Sequence, residues 1–246
     1  MRTISWFSCG AASAVATKLA IGTGEKIEIA YCEVMEEHPD NKRFLKECEE
    51  WFGQEITIIG NDKYDRSIYE VFRKDKFLVG AFGARCTLKL KKEMRKSFEK
   101  LDDRQVFGYT VEEQNRVDRF IDANNDVDIW PILIEKNLTK EDCLAIIKDA
   151  GIELPEMYKL GYHNNNCIGC VKGGSGYWNK IRVDFPDTFE RMAKIERLLG
   201  RQICKSTIDG EQQLVYLDEL DPTVGNYPAE PNIECGIFCH MAKGDM

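Results

Sequence analysis

Segments typical of strands and helices alternate along the first part of this chain, and this alternation constrains the fold more than any other feature. A β-favouring run at residues 3–7 is followed by a small-residue loop and an Ala-rich helical pattern to about Leu19. A strand at 26–31, an amphipathic helix at 42–52 and a strand at 55–59 then repeat the order. Such alternation predicts an α/β fold, a parallel twisted sheet flanked by helices.

The loop between the first strand and the first helix, residues 8–13 (S-C-G-A-A-S), is the first candidate binding site. A strand–loop–helix junction directs backbone N–H groups and the positive end of a helix to one point, which favours a bound phosphate or sulfate. Ligands of parallel α/β sheets bind beyond the carboxyl ends of the strands, where this loop would lie. We therefore expect Ser8, Gly10 and Ser13 to contact an anionic group.

The later patterns extend the same architecture. They predict helices at 64–77, 88–100, 140–150 and 186–199, strands at 105–109 and Ile129 to Ile134, and a helix opening at residue 112. Residues 1–200, including a C-x-x-C motif, are expected to form one α/β domain. From Gln202 onward the periodicity is weak, so residues 201–246 are expected to form an extended tail that folds back over the site.

Composition excludes several classes of protein. With 246 residues, 43% hydrophobic and 31% charged, the chain has ordinary globular usage rather than that of a disordered protein. A net charge of −8 disfavours broad contact with nucleic acid, although the lysine-rich segment at 89–100 could supply a local basic patch. No run approaches the roughly 18 apolar residues of a membrane helix, and no export signal is recognised, so we expect a cytoplasmic protein without a membrane partner.

Ten cysteines are many for a chain without a recognised export signal. In a reducing compartment they indicate metal binding or thiol chemistry rather than disulfides. Four of them are expected to be small buried hydrophobic residues: Cys32, Cys48, Cys143 and Cys204.

Two cysteine pairs have the spacing of metal ligands. Cys167 and Cys170 form C-x-x-C, and Cys235 and Cys239 form C-x-x-x-C. Either spacing allows two thiolates to reach one metal centre.

The order of the motifs resembles that of the phosphoadenosine phosphosulfate (PAPS) reductase family, within the adenine-nucleotide α-hydrolase-like superfamily that includes the PP-loop pyrophosphatases. The resemblance covers about residues 3–200 and a tail motif. It is carried by the S-x-G loop at 8–13, H-P-D at 38–40, R-C-T-x-x-L-K at 85–91, G-Y at 108–109 with Glu113 and Arg116, P-I at 131–132, T-K-E-D at 139–142, Y-x-x-G at 158–161, C-x-x-C at 167–170 and E-C-G-I at 234–237.

The resemblance implies an enzyme that acts on an adenine nucleotide. In this family a tail cysteine attacks the sulfur of an adenylyl sulfate, and a thiol donor, here a thioredoxin-like reductant, then releases sulfite from the S-sulfocysteine. Cys235 would be that nucleophile. The nucleotide would be bound by Ser8, Gly10, Ser13, Lys89, Gly108 and Arg116. The motifs do not distinguish adenosine 5′-phosphosulfate (APS) from PAPS.

The cysteine pattern is similar to that of the cluster-bearing APS reductase branch. Cys86, Cys167 and Cys170 would ligate a [4Fe–4S] cluster, with Cys239 as the first choice for the fourth ligand. The tandem cysteine of that branch is missing, because Arg85 precedes Cys86 and Thr87 follows it. The roles of Cys235 and Cys239 could be exchanged, three cysteines could hold a cluster with an open iron, or zinc could replace the cluster.

Two alternative functions stay open. One is an iron–sulfur-dependent sulfur transferase that uses ATP and modifies tRNA or DNA. Ala12 stands where ATP-cleaving PP-loop enzymes carry Asp, and this weakens that alternative. The other is a non-catalytic iron–sulfur module that binds a nucleotide.

Overall fold

The computed structural model describes residues 1–80, 83–208 and 210–233, and these residues form an α/β fold. The strands are β1 (Thr3–Phe7), β2 (Ile27–Cys32), β3 (Thr57–Ile59), β4 (Val79–Gly80), β5 (Gly83–Ala84), β6 (Arg104–Val106), β7 (Asp128–Trp130), β8 (Cys204–Ile208) and β9 (Glu211–Val215). The helices are α1 (Ala11–Gly22), α2 (Asn41–Phe52), α3 (Ile68–Asp75), α4 (Glu93–Phe98), α5 (Gln114–Ala123), α6 (Ile132–Glu135), α7 (Lys140–Asp149), α8 (Glu156–Lys159), α9 (Ser175–Asp184) and α10 (Pro186–Leu199).

The main sheet confirms the predicted fold class. Within the described ranges it has five strands in the order β3-β2-β1-β6-β7, and every neighbouring pair is parallel. Ser5 of β1 lies opposite Ile29 of β2 and Val106 of β6. The carboxyl ends of the central strands therefore lie at the same edge of the sheet.

Alternate residues of the sheet fill two hydrophobic layers. On one face Phe7, Ile29 and Tyr31 pack with residues of α1, α2 and α7. On the other face Ile4 and Trp6 pack with residues of α4 and α5. Helices thus cover both faces, as a parallel sheet requires.

A third hydrophobic cluster joins the second half of the chain to α3. It contains Trp178 of α9, Met192 of α10 and Cys204 of β8, together with Cys167 and Cys170. The segment after residue 200 therefore shares a core with the C-x-x-C segment.

The strand predicted at Ile129 to Ile134 is wrong in its second half. Strand β7 ends at Trp130, and Ile132–Glu135 form a helical turn. Pro131 lies between them and has no N–H to donate to a neighbouring strand, so the ladder ends there.

Two predicted helices are interrupted. The pattern at 64–77 contains a short 3-10 turn and then α3, because Asp65 and Arg66 adopt positive φ values of 49° and 54°. The pattern at 88–100 begins as a π-helical turn, Thr87–Lys92, continues as α4 and ends at Phe98.

The region predicted to be an extended tail contains an antiparallel hairpin, in which Ser206 of β8 lies opposite Gln213 of β9. The carboxylate of Glu196 holds this hairpin to α10. It accepts hydrogen bonds from the backbone N–H groups of Ile203 and Leu217, both at 2.6 Å. Glu196 is fully buried, and burial raises its pKa from 4.5 to about 7.

No helix in the described part of the chain is long and apolar enough to cross a membrane.

Substitution of Glu196 tests the attachment of the hairpin. As the pH rises, Glu196 loses its proton at a lower pH in the unfolded chain than in the folded protein. Its contribution to the free energy of unfolding should therefore decrease between pH 4.5 and about pH 7. In Glu196→Gln this titration is absent. The difference in free energy of unfolding between wild type and variant, measured by denaturant titration from pH 5 to pH 8, should therefore shrink as the pH rises.

Glu190→Gln, at an exposed position of the same helix, is the control and should show no such trend. A difference that grows with pH would contradict the assignment.

Candidate functional site

A cavity of about 400 Å³ opens at the carboxyl edge of the main sheet. Phe7, Cys32 and Phe107, at or just beyond the ends of β1, β2 and β6, form part of its wall. Five of the six residues predicted to bind nucleotide also line it: Ser8, Gly10, Ser13, Gly108 and Arg116. The fold therefore brings the loop after β1 and the segment after β6 to one place, as the sequence predicts.

The loop after β1 is closed by its two serines. The Ser8 hydroxyl and the Ser8 backbone N–H donate to Ser13 Oγ at 3.0 Å and 3.1 Å. Ser13 Oγ in turn donates to the carbonyl oxygen of Gly10 at 2.9 Å. Helix α1 begins within this loop, so its positive end points toward the same cavity.

Cys9 gives this loop its sharp bend. Its φ is +54°, in the left-handed region that L residues rarely adopt, and its side chain is fully buried. Asn165 stabilises the bend, because its Nδ2 donates to the carbonyl oxygen of Cys9 at 2.6 Å. Asn165, two residues before Cys167, thus fixes the conformation of the loop at residues 8–13.

A hydrogen-bond network extends from Asn165 along the cavity. Asn165 Nδ2 also donates to Asn41 Oδ1 at 2.8 Å, and Asn41 Nδ2 donates to Glu37 Oε2 at 3.0 Å. The same carboxylate accepts a hydrogen bond from the Tyr31 hydroxyl at 2.6 Å and pairs with Lys91 Nζ at 3.2 Å. The network holds Lys91 in the cavity wall.

Gly108 permits the closest backbone approach at the site. A Cβ atom placed on it would lie 2.4 Å from the backbone nitrogen of Ser13 and 2.7 Å from the carbonyl carbon of Ala12. Real Cβ atoms do not approach so closely, and the obstacle is main chain rather than a movable side chain. Only glycine therefore lets the segment after β6 pack against the start of α1.

Three cations line the cavity: Lys91, Arg116 and Lys140. Arg116 pairs with Glu113 at 2.6 Å and lies over the Tyr109 ring at 5.0 Å. Lys140 donates to the carbonyl oxygen of His163 and to Asn164 Oδ1.

Lys89 lies elsewhere. Its ammonium pairs with Glu93 Oε1 at 2.5 Å, and it is not among the residues that line the cavity. Its predicted contact with nucleotide therefore stays a prediction, while Lys91, two residues later, occupies the wall.

The C-x-x-C motif forms a tight turn. Gly169 has a φ of +76°, and the N–H groups of Gly169 and Cys170 donate to the Tyr177 hydroxyl at 3.0 Å and 2.9 Å. Cys86, Cys167 and Cys170 are buried in the same hydrophobic cluster.

The predicted metal ligands are described only in part. Within residues 1–80, 83–208 and 210–233, no three Cys, His, Asp or Glu side chains form a group that could hold a metal ion. Cys235 and Cys239 lie outside the described residues. The three described thiols do not by themselves form a ligand set, so the predicted cluster would require a ligand from outside these ranges or a rearrangement of the three.

The segment 227–233 is attached to the C-x-x-C region at three points. The Tyr227 hydroxyl accepts from the His163 N–H at 2.8 Å, and the two rings stack at 4.6 Å. The Glu230 carboxylate accepts from the N–H groups of Gly176 and Tyr177 at the start of α9, at 2.6 Å and 3.1 Å.

The third attachment is at the cavity itself. Asn164 Nδ2 and Asn166 Nδ2 donate to the carbonyl oxygen of Ile233 at 3.3 Å and 3.1 Å. Asn232 and Ile233 both line the cavity. The chain therefore reaches the cavity wall at the last residue described before Glu234 and Cys235.

The chain just before this segment, at residues 225–227, meets α9 at a pair of glycines, Gly225 and Gly176. A Cβ on Gly225, whose φ is +83°, would lie 2.2 Å from the backbone nitrogen of Gly176, and a Cβ on Gly176 would lie 2.6 Å from that of Tyr227. Main chain meets main chain here, so neither position accepts a side chain.

Several residues of the site have no local sequence signal. Glu37 and Lys140 lie in a turn and at a helix start, where charged residues are common. The run Asn164 to Asn166 predicts a turn, but its contacts with residues 9, 41 and 233 depend on the tertiary fold.

The fold and the cavity together define an α/β protein with a strand–loop–helix junction that lines a cavity at the carboxyl edge of a parallel sheet. Residues 2–175 of the 246 match the family described as the phosphoadenosine phosphosulfate reductase domain, and the chain belongs to that family. The resemblance drawn from the motifs is thus confirmed, and the family indicates an enzyme that acts on sulfur nucleotides. No curated protein matches the chain.

Gly108→Ala should disrupt the site. Because the added methyl group meets the backbone at residues 12 and 13, we expect the free energy of unfolding to fall by about 1–3 kcal/mol. Denaturant titration measures the loss, and the thermal shift produced by an adenine nucleotide should be reduced as well.

Gly22→Ala provides the matched control, because a Cβ there meets nothing within 4 Å. Equal stability of the two alanine variants would show that Gly108 is not a site of close approach.

Proposed function

We propose that this protein is a sulfonucleotide reductase. The Cys235 thiolate attacks the sulfur of an adenylyl sulfate. A bond forms between its Sγ and that sulfur, while the bond from sulfur to the phosphate oxygen breaks and the nucleotide leaves with the electron pair. A thiol of a thioredoxin-like reductant then attacks Cys235 Sγ, which forms a disulfide and releases sulfite.

One observation carries this proposal: the cavity is bordered at one side by the loop at residues 8–13, the proposed anion loop, and at another by Ile233. Consecutive Cα atoms are about 3.8 Å apart, so two residues span at most about 7 Å. The Cα atom of Cys235 is therefore within about 7 Å of that of Ile233, which lines the cavity. Cys239, four residues further, is not limited to the cavity in this way.

The burial of five other thiols reduces the number of cysteines that could be the nucleophile. Burial raises the pKa of Cys32, Cys143 and Cys204 to about 12, and that of Cys9 and Cys48 also lies above the ordinary value. The thiol form is not nucleophilic, so these five cysteines are unreactive at neutral pH.

The anion loop and the neighbouring cations support the binding of a charged nucleotide. Ser8, Gly10, Ser13, Gly108 and Arg116 would contact it, and Lys89 keeps its predicted role within this proposal. A thiolate attacking near a dianion requires positive neighbours, and Arg116 is one of them.

We also propose that the protein holds a [4Fe–4S] cluster. The donor set would be Cys86, Cys167 and Cys170, with Cys239 as the fourth ligand. Thiolate is the chemistry that such clusters require, and the three described cysteines belong to one buried cluster of side chains. When bound, the cluster would supply a redox-active centre whose reduction potential depends on its net charge and on the hydrogen bonds to its sulfurs.

Labelling tests the reaction. The protein is purified without oxygen and mixed with sulfur-35-labelled APS or PAPS, and we expect covalent label that a dithiol releases as sulfite. In Cys235→Ser the label should be lost while binding of the nucleotide, followed by thermal shift, is retained.

Cys204→Ser, which removes a buried thiol with no proposed role, is the matched control and should keep the label. Loss of label in Cys239→Ser alone would exchange the two roles. Absence of label from either nucleotide, with pyrophosphate produced from ATP, would replace the reductase with a sulfur transferase.

Iron analysis tests the cluster separately. Cys167→Ser should lose iron, sulfide and the visible absorbance of the cluster, because a ligand thiolate is removed. Cys204→Ser, which removes a buried thiol that is not a predicted ligand, should retain them. Zinc without iron in the wild-type protein would contradict the cluster, and loss of iron in Cys235→Ser would identify Cys235 as a ligand.

A further inference from the structure

Lys140 differs from the other cations of the cavity in its partners. It is the first residue of α7, it is partly buried, and its ammonium donates to two neutral oxygens, the carbonyl of His163 and Asn164 Oδ1, the latter at 2.8 Å. Lys91 pairs with Glu37 at 3.2 Å, and Arg116 pairs with Glu113 at 2.6 Å. Among the described residues, no carboxylate forms an ion pair with Lys140.

The carboxylates nearest to Lys140 are engaged elsewhere. Glu113 accepts from Arg116 and, at 3.3 Å, from the backbone N–H of Thr110. Glu112 accepts at 3.1 Å from the backbone N–H of Lys140 rather than from its ammonium. Burial lowers the pKa of Lys140, and the charges of Glu113 and Glu112 offset only part of that effect.

A partly desolvated cation without a carboxylate partner is stabilised by an anion brought to it. An ammonium has three N–H donors, and two of those of Lys140 are used. Charge-assisted hydrogen bonds to phosphate or sulfate oxygens are among the stronger polar interactions, and they strengthen where water is partly excluded.

A second polar group of the same cavity, the side-chain oxygen of Asn165, has no hydrogen-bond donor among the described residues. Asn165 is 7% exposed, its Nδ2 donates twice, and its Oδ1 accepts no hydrogen bond from the described residues. Buried acceptors are nearly always satisfied, so a ligand that carries N–H or O–H donors as well as negative charge fits this wall.

We infer that Lys140 binds a second oxyanion group of the nucleotide, separate from the group held by the loop at residues 8–13. The loop belongs to the junction of β1 and α1 and Lys140 belongs to α7, and both border one cavity. A nucleotide with two consecutive oxyanion groups, phosphate followed by sulfate or by a second phosphate, can contact both. Lys140 is thereby a specificity-determining residue, and this inference rests on the proposed function only for the sulfate.

The test compares AMP, ADP and APS as ligands of the full-length protein, with dissociation constants measured by calorimetry. Lys140→Met should weaken ADP and APS by about 10- to 100-fold and leave AMP within about twofold, because only the second oxyanion loses its partner. Lys140→Arg should restore much of the affinity. Lys148→Met, exposed on the same helix, should bind all three ligands like the wild type.

The outcomes separate this inference from the proposed function. An effect of Lys140→Met on ADP and APS, in a protein that never takes label from APS or PAPS, would sustain the inference and reject the reductase. If the wild type takes covalent label but the Lys140→Met variant binds all three ligands normally, the reductase would be sustained and the inference about Lys140 rejected. Equal weakening of AMP and ADP would overturn the inference, and so would the absence of binding of all three by the wild type.

Discussion

The rest of the site depends on the two hydrogen bonds that the side-chain amide of Asn165 donates. Its Nδ2 joins the carbonyl of Cys9, in the anion loop, to Asn41 at the start of α2. Because Asn165 lies two residues before Cys167, three segments distant in sequence meet at one nitrogen atom. The strained backbone of Cys9 is stable only because its surroundings hold it in this conformation. The hydrogen bonds continue from Asn41 to Glu37, and the ion pair of Glu37 with Lys91 fixes the position of the Lys91 ammonium.

Much of the fold could be predicted because local pattern and tertiary structure agree in the first half of the chain. The strands and helices from β1 to α2 bury one face or both faces, so hydrophobic periodicity predicts them directly. Agreement fails where backbone chemistry interrupts a pattern, as Pro131 does after β7. It also fails in the hairpin, because most residues of β9 are exposed and do not alternate, and because a distant residue, Glu196, holds the hairpin in place.

The site divides in the same way. Ser8, Gly10 and Ser13 lie in one loop whose geometry follows from a strand–helix junction, so a short motif predicts their position. Lys140 and the asparagines at 164–166 act through contacts with residues far away in sequence, and their residue types are equally common in solvated turns. Lys89 and Lys91 show the limit of a motif: both belong to the same basic run, and the π-helical turn determines which of them faces the cavity.

The contact between Gly176 and Gly225 has a consequence for comparing sequences. Each glycine would place a Cβ against the main chain of the other segment, so no change of a neighbouring side chain can make room for it. If a related chain has a residue other than glycine at either position, its backbone after α10 must follow a different path. The pair of glycines therefore serves as a diagnostic of this path in sequences for which no structure is known, and it can sort relatives with the same anion loop into those that return to the cavity in this way and those that do not.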